Sequence, residues 1–245
     1  MAKIVMVTGV QRSGTGALFY ALAEDLGVRV FQESNASEFY LGWNLRSETE
    51  LRPLLTASAQ TVLTKPVNET SRRSVAELLR EFTAHETWIV WIYRDPVNVF
   101  ASTLEWYSVP RNANDRFYNS LCGLKDPQAA LVDFLAMWNK RNRSFLALSS
   151  EERTRTALVR YEDLLDDANV FHDLCRLTGI DGRYEHKFLP DSRNGHRRLP
   201  RNIKNKIRSG TREVTRELDA ARTFRADLPI LKRLRKAALQ LNGRK

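Results

Sequence analysis

Ile4-Val5-Met6-Val7-Thr8-Gly9-Val10-Gln11-Arg12-Ser13-Gly14-Thr15-Gly16 is an apolar run that ends in a glycine-rich turn. It leads straight into a segment with helical spacing, where Ala17, Leu18, Ala21, Leu22 and Leu26 mark one face. The run from Ile4 to Thr8 lacks clean polar alternation, as a strand covered on both faces does. Three more runs of this kind follow, Thr61 to Thr64, Trp88 to Tyr93 and Thr156 to Arg160. Val97, Phe100, Ala101 and Leu104 continue the third as a helix, and Leu131, Leu135, Trp138, Phe145 and Leu146 mark a long helix before the fourth. Strand and helix alternate, so the reading is α/β: a parallel sheet flanked by helices, with right-handed crossovers.

The turn from Gly9 to Gly16 is where backbone N–H groups and a helix dipole converge on an anion. A nucleoside-triphosphate loop would read G-x-x-x-x-G-K-[ST], whereas here Thr15 occupies the lysine position and Gly16 follows it. Such a loop loses its main cation and its magnesium-binding hydroxyl. Arg12 instead places a guanidinium inside the turn, suited to gripping two oxygens of a phosphate or sulfuryl group.

A second anion holder lies further on. Trp88-Ile89-Val90-Trp91-Ile92-Tyr93-Arg94-Asp95-Pro96-Val97-Asn98-Val99-Phe100-Ala101-Ser102 reads as a buried strand with Arg94 at its carboxyl end, Pro96 in the first helical turn and Ser102 two turns later. Ligands of open α/β sheets collect at the carboxyl ends of strands, so Arg94 and the Gln11 to Gly16 loop are expected to open on one crevice. Two separated phosphate holders imply a donor phosphorylated at two places.

The totals are compatible with this. The chain has 245 residues, 42% of them hydrophobic, and no shift in composition divides it, so one domain is expected. Its formal net charge of +10 favours a polyanionic partner without choosing between a nucleotide, an acidic glycan, a nucleic acid and a membrane surface. Cys122 and Cys175 are the only cysteines, which suits a reduced interior and builds no metal cluster. The apolar stretch from Ile4 to Val7 is too short for a signal sequence or a membrane span, so a cytoplasmic, bacterial-type soluble enzyme is expected. Tyr107 to Pro127 has no periodicity and reads as a loop on the ligand side or a lid. Beyond Asp181 the chain turns polar and basic, and a region from about 185 to 245 closes with two short helical patterns.

Taken together, the two anion motifs resemble those of the sulfotransferases that use 3′-phosphoadenosine 5′-phosphosulfate (PAPS). The 5′-phosphosulfate loop of that family has the form P-[KR]-S-G-T-T, here Gln11-Arg12-Ser13-Gly14-Thr15-Gly16, and its 3′-phosphate motif pairs an Arg with a later Ser, here Arg94 and Ser102. Val159-Arg160-Tyr161-Glu162-Asp163-Leu164 is similar to the family's Y-E-D-L segment, whose Tyr lies near the adenine. Asn194-Gly195-His196-Arg197-Arg198 is similar to the late loop that covers the 3′-phosphate and adenine, and reads equally as a solvated charge run. The resemblance implies a P-loop-NTPase-like sheet and a donor-binding core over about residues 1–165. It also implies PAPS as donor, a hydroxyl acceptor, and no requirement for a metal or nucleic acid. Gln11 in place of Pro and Gly16 in place of the second Thr depart from the pattern, and Gly16 leaves only a backbone donor at that contact.

Sulfuryl transfer needs a base, cations for charge on the bridging oxygen, and in-line positioning. Lys65, ending the second run in Leu63-Thr64-Lys65-Pro66, resembles the family lysine at the transferring group, with Arg12 as second cation. The His that some relatives carry just after this lysine is replaced by Pro66-Val67-Asn68. In another branch of the family a Glu follows the first helix, and that position falls on Glu33. Glu33 is therefore the candidate base, with Glu38 its nearby competitor. His186 and His196 stay open as alternatives, while His85 is expected on the opposite edge and His172 on a late helix. A nucleotide kinase on the same sheet, or a non-catalytic polyanion binder, are the competing readings.

Overall fold

The computed structural model describes residues 2–34, 36–57, 60–107, 127–184 and 199–225. Arg197, Arg198, His186, His196, Cys122 and nearly all of the Tyr107 to Pro127 stretch lie outside the described residues.

The sheet has five parallel strands. In chain order these are β1 (Lys3–Gly9), β2 (Val28–Phe31), β5 (Thr61–Thr64), β6 (Glu86–Tyr93) and β7 (Thr156–Arg160), arranged β2-β5-β1-β6-β7. Registers such as Ile4 opposite Val62, Val5 opposite Trp88 and Ile92 opposite Val159 align their carboxyl ends. Alternate residues of each strand feed two cores. Ile4, Met6, Ile89, Trp91 and Leu158 join one, and Val5, Val7, Leu63, Val90, Ile92 and Val159 join the other. That two-sided burial is why the strand runs show no polar alternation.

On the second face lie α1 (Thr15–Leu22), α7 (Tyr161–Asp166) and α8 (Ala168–Thr178). The first face is covered by α2 (Glu48–Thr56), α3 (Val75–Glu81), α4 (Pro96–Tyr107), α5 (Pro127–Leu146) and α9 (Arg201–Ala221). A short helix, α6 (Ser150–Arg153), leads into β7. The chain leaves β1 toward β2 on one side and leaves β6 toward β7 on the other, so a topological switch falls between β1 and β6.

Three features differ from the sequence-based expectations. Val28–Phe31 is a fifth strand at the sheet edge, and Leu26, expected on the buried face of the first helix, is 95% exposed beyond that helix's end. A two-residue hairpin joins β3 (Tyr40–Leu41) to β4 (Asn44–Leu45) through Gly42 and Trp43, both at positive φ, as a tight hairpin turn requires. It packs inward through Phe39, which stacks on Phe31 at 4.2 Å, and through Tyr40, whose hydroxyl meets Thr64 Oγ1 at 2.5 Å. Finally, residues 201–221 form one 21-residue helix in place of the first of two short patterns, with Ile203, Ile207, Thr211, Val214 and Leu218 turned inward.

Candidate active site

β1 ends at Gly9, where φ is +151° and an added Cβ would lie 2.1 Å from the carbonyl oxygen of Ile92 on β6. Only glycine allows β1 and β6 to come this close at the mouth of the switch. Arg12 then takes a left-handed conformation at φ +66° and Gly14 one at +97°, which winds the chain into a cradle before α1 begins at Thr15. Strain at a non-glycine residue of this kind clusters at ligand sites. The N-cap of α1, Gly14, supplies no side-chain acceptor, so the first-turn N–H groups remain for an external oxygen. Ser13 Oγ is buried beside them without a hydrogen-bond partner among the described residues. A buried donor in that condition calls for a ligand oxygen. At Gly16 an added Cβ would meet nothing within 4 Å, so packing does not require a glycine there.

The second anion motif closes on the first. Arg94, 6% exposed at the end of β6, stacks its guanidinium over the ring of Tyr161 at 4.9 Å and donates to the carbonyl of Arg12 at 3.4 Å. Ser102 Oγ accepts from Arg12 Nε at 3.1 Å. Arg12, Arg94, Ser102 and Tyr161 thus form one cluster between β1 and β6. Tyr161 is 4% exposed and packs against Gly14, where an added Cβ would fall 2.2 Å from the ring. Glu162, beside it, accepts the N–H of Asp95 at 3.0 Å and so fixes the turn that follows Arg94.

Glu33 follows β2 and Lys65 follows β5, and these neighbouring strands end on the same edge as the loop. Glu33 Oε1 accepts the N–H of Asn68 at 2.8 Å, and Asn68 Oδ1 accepts from Gln11 Nε2 at 2.8 Å. The residue in the family's proline position therefore ties the anion loop to the turn that holds the carboxylate. Burial pushes the Glu33 carboxyl up to about 7, against the Asn68 hydrogen bond and the charges of Lys65 and Arg141, with Glu69 adding to the rise. Burial pulls Lys65 down, Glu33 opposes that, and Arg12 reinforces it. A carboxyl titrating near neutrality beside a half-buried ammonium is suited to accepting a proton.

The other candidates sit elsewhere. Glu38 is exposed and pairs with Arg29 at 2.7 Å. His85 is buried at the amino-terminal edge of the sheet, 3.2 Å from Glu48, and His172 is exposed on α8. Trp91 and Trp138 are fully buried core residues.

One residue that ties this edge together carries no signal in the sequence. Arg141, on α5 and only 4% exposed, donates from Nη2 to the carbonyl of Gly9 at 2.9 Å, to the carbonyl of Val67 and to Thr70 Oγ1. It joins the anion loop, the turn after Lys65 and the long helix at one guanidinium. Periodicity gives no sign of it, because Lys140, Arg141 and Arg143 form a basic run in which only burial singles out the inward one. Among the described residues no cluster of three or more His, Cys, Asp or Glu could hold a metal ion, and no helix is long and apolar enough to cross a membrane.

No family model matches the chain, and no curated protein matches it. Solved structures do. A sulfotransferase from Alicyclobacillus acidocaldarius is 16% identical with a TM-score of 0.57, over 95% of this chain and 99% of that one. A mouse sulfotransferase complexed with PAP is 14% identical with a TM-score of 0.57, over 89% of each chain. The sulfotransferase domain of the Synechococcus PCC 7002 olefin synthase is 16% identical with a TM-score of 0.55, over 94% of this chain and 98% of that one. The fold of this chain is the P-loop-NTPase-like fold of the sulfotransferases.

Two predictions follow from this geometry. The unfolded chain ionises Glu33 near the ordinary 4.5, the folded chain only near 7, so the folded state holds an extra proton between them and loses stability as pH rises through that window. Glu33→Gln, which keeps the acceptor for Asn68, is expected to leave the melting temperature unchanged below pH 4 and to raise it above pH 7; equal shifts at both ends would show that the carboxyl is not perturbed. Arg141→Met strands buried acceptors of three segments and is expected to cost about 3 kcal/mol in urea unfolding, with Arg141→Lys intermediate. A loss below about 1 kcal/mol would mean that the guanidinium does not hold this edge together.

Proposed function

We propose that this chain is a PAPS-dependent sulfotransferase that moves a sulfuryl group to a hydroxyl on a carbohydrate, glycolipid, peptide or secondary metabolite. The observation that carries this reading is the pairing of two anion holders across the topological switch: the uncapped loop with Arg12 and the buried hydroxyl of Ser13, and the seat of Arg94 on the adjacent strand. A donor with phosphates at both 3′ and 5′ positions spans such a pair. The neighbour complexed with PAP, with a fold matching this one over most of both chains, supports it.

In this reading the loop amides, Ser13 and Thr15 hold the 5′-phosphosulfate, and Gln11, Gly14 and Gly16 shape the cradle. Arg94 and Ser102 hold the 3′-phosphate, and Tyr161 seats the Arg94 guanidinium from below. Arg197 and Arg198 complete the donor site. Glu33 takes the proton of the acceptor hydroxyl as the acceptor oxygen bonds to sulfur and the bond from sulfur to the bridging phosphate oxygen breaks. Lys65 and Arg12 meet the charge that builds on that bridging oxygen, leaving a sulfate ester and adenosine 3′,5′-bisphosphate. No step calls for a metal. The two cysteines of the whole chain suit a cytoplasmic setting. A nucleotide kinase on this sheet is disfavoured because Thr15, not Lys, follows Gly14.

Adenosine 3′,5′-bisphosphate is expected to raise the melting temperature more than ADP or AMP, and Arg94→Ala to abolish that preference. The donor assignment fails if the bisphosphate stabilises the wild type no more than AMP does. With PAPS and a hydroxyl acceptor, kcat/KM should rise with pH and level off above about 7, because only the ionised Glu33 accepts a proton. Glu33→Gln should lower kcat by roughly 10²–10⁴-fold. Retained turnover in that variant moves the base elsewhere.

A further inference from the structure

Next to the turn that follows Lys65 lies a pocket of about 100 Å³ lined by Thr70, Ser71, Arg72, Arg73, Ser74, Lys140, Arg141 and Ser144. Every one of these side chains is a cation or a hydroxyl, and no carboxylate lines it among the described residues. The space exceeds the roughly 15 Å³ that one water needs but falls short of the roughly 300 Å³ of a small-molecule site. It suits a single charged group of a larger molecule.

Four cations lining so small a space repel one another, and the protein offsets only part of this. Arg73 is met by Glu69 at 3.0 Å and Glu81 at 3.8 Å, neither of which lines the pocket. Arg72 and Lys140 are exposed and make no ion pair among the described residues. Ser144 Oγ accepts the N–H of Val75 at 3.1 Å, which leaves its own proton to donate. The hydroxyl protons of Thr70, Ser71 and Ser74 already go to Val67, Asn68 and Glu77, so an anion placed here gains its charge-assisted hydrogen bonds from Arg72, Lys140 and the Ser144 hydroxyl. The pocket also adjoins the reacting centre through the chain itself. Ser71 Oγ donates to the carbonyl of Asn68 at 2.6 Å, and the N–H of Asn68 is the one bound to Glu33. Arg141 reaches from the pocket to the carbonyl of Gly9 behind the anion loop.

We propose that this pocket binds an anionic group of the acceptor, a carboxylate or a sulfate or phosphate ester, and so orients a neighbouring hydroxyl toward Glu33. The acceptor part rests on the sulfuryl-transfer reading; the anion site itself does not. Arg72 and Lys140 act as specificity residues and take no part in the transfer.

Two experiments separate these parts. Titration of sodium sulfate into the full chain, followed through backbone amide chemical shifts, should give saturable shifts around Ser71–Ser74 and Lys140–Ser144, and others at Ser13–Gly16. In the Arg72→Ala/Lys140→Ala variant the first set should weaken about a hundredfold while the second is unchanged, since each of the two lost charge-assisted bonds is worth about tenfold. Both positions are exposed, so the variant keeps its core. Absence of the first set in the wild type, or its survival in the variant, overturns the site. With PAPS, methyl glucuronoside should show a KM about tenfold below that of methyl glucoside, and the variant should lose that preference with kcat/KM for the glucoside unchanged. A sulfate response without any acceptor preference overturns the acceptor assignment in favour of a free inorganic anion. A sulfate response that behaves as expected in a chain that transfers to no acceptor leaves the pocket standing and removes the sulfotransferase reading instead.

Discussion

The guanidinium of Arg141 is the point on which the site edge depends. Parallel strands end in carbonyls that have left the ladder, and here Gly9 at the end of β1 and Val67 after β5 both face the sheet's first layer of helices. Buried without donors, such carbonyls would each cost of the order of 1–3 kcal/mol. A single planar cation from α5 serves both and also Thr70, which the short turn after Asn68 presents. The anion loop and the turn of Lys65 are thereby held to the same rigid helix. Gln11 repeats the tie through Asn68, and Glu33 hangs from the same turn. A carboxyl, an ammonium and a glycine-rich loop that follow three separate strands are thus tied to one framework.

Much of this was legible in the sequence. Four of the five strands lie at the positions of their apolar runs, because a strand with both faces covered must be apolar at nearly every position. The loop and the Arg94 strand end were legible for a related reason, since glycines and a terminal Arg have few uses at the mouth of a parallel sheet. β2 was not legible. Its four residues sit at the edge, where Arg29 pairs with Glu38 in solvent and Val30 is 40% exposed, so the run carries no mark of double-sided burial. The helix from Arg201 to Ala221 begins where the sequence reads as a polar, basic stretch ahead of two short helical patterns, and Gly210 in its middle hides its continuity. That glycine serves close approach to α5: an added Cβ would press on Leu135 at 3.0 Å, and its carbonyl accepts from Asn139 at 2.9 Å.

The site itself divides along the same line. Arg12 and Arg94 stand out in the sequence by residue type and chain position, and Lys65 and Glu33 through the family resemblance, but the partners of all four depend on which side chains the fold turns inward. Ser102, expected to face one ligand together with Arg94, accepts a hydrogen bond from Arg12. Tyr161 is wedged beneath Gly14 and Arg94, so its ring holds the two anion motifs at a fixed separation. Gln11, a departure from the family pattern, makes a bond that a proline could not make. The Gln11–Asn68 and Arg12–Ser102 bonds span 57 and 90 residues of chain, beyond the reach of any local pattern.

Glu33 and Lys65 are coupled through their charges. Burial pushes both toward their neutral forms, raising the carboxyl and lowering the amine, while each favours the charged form of the other. Arg12 works against the charge on Lys65 from across the loop. In the proposed reaction, anionic oxygens between Arg12 and Lys65 would remove that repulsion and strengthen the ammonium. A firmly charged Lys65 would in turn draw Glu33 toward its ionised form, while the donor's own negative charge would draw it the other way. The balance between these opposing influences is set by distance, and the tie from Gln11 through Asn68 to Glu33 fastens the carboxyl to the loop that carries Arg12. The burial that raises the Glu33 carboxyl therefore comes from the same framework that carries Arg12 and Lys65.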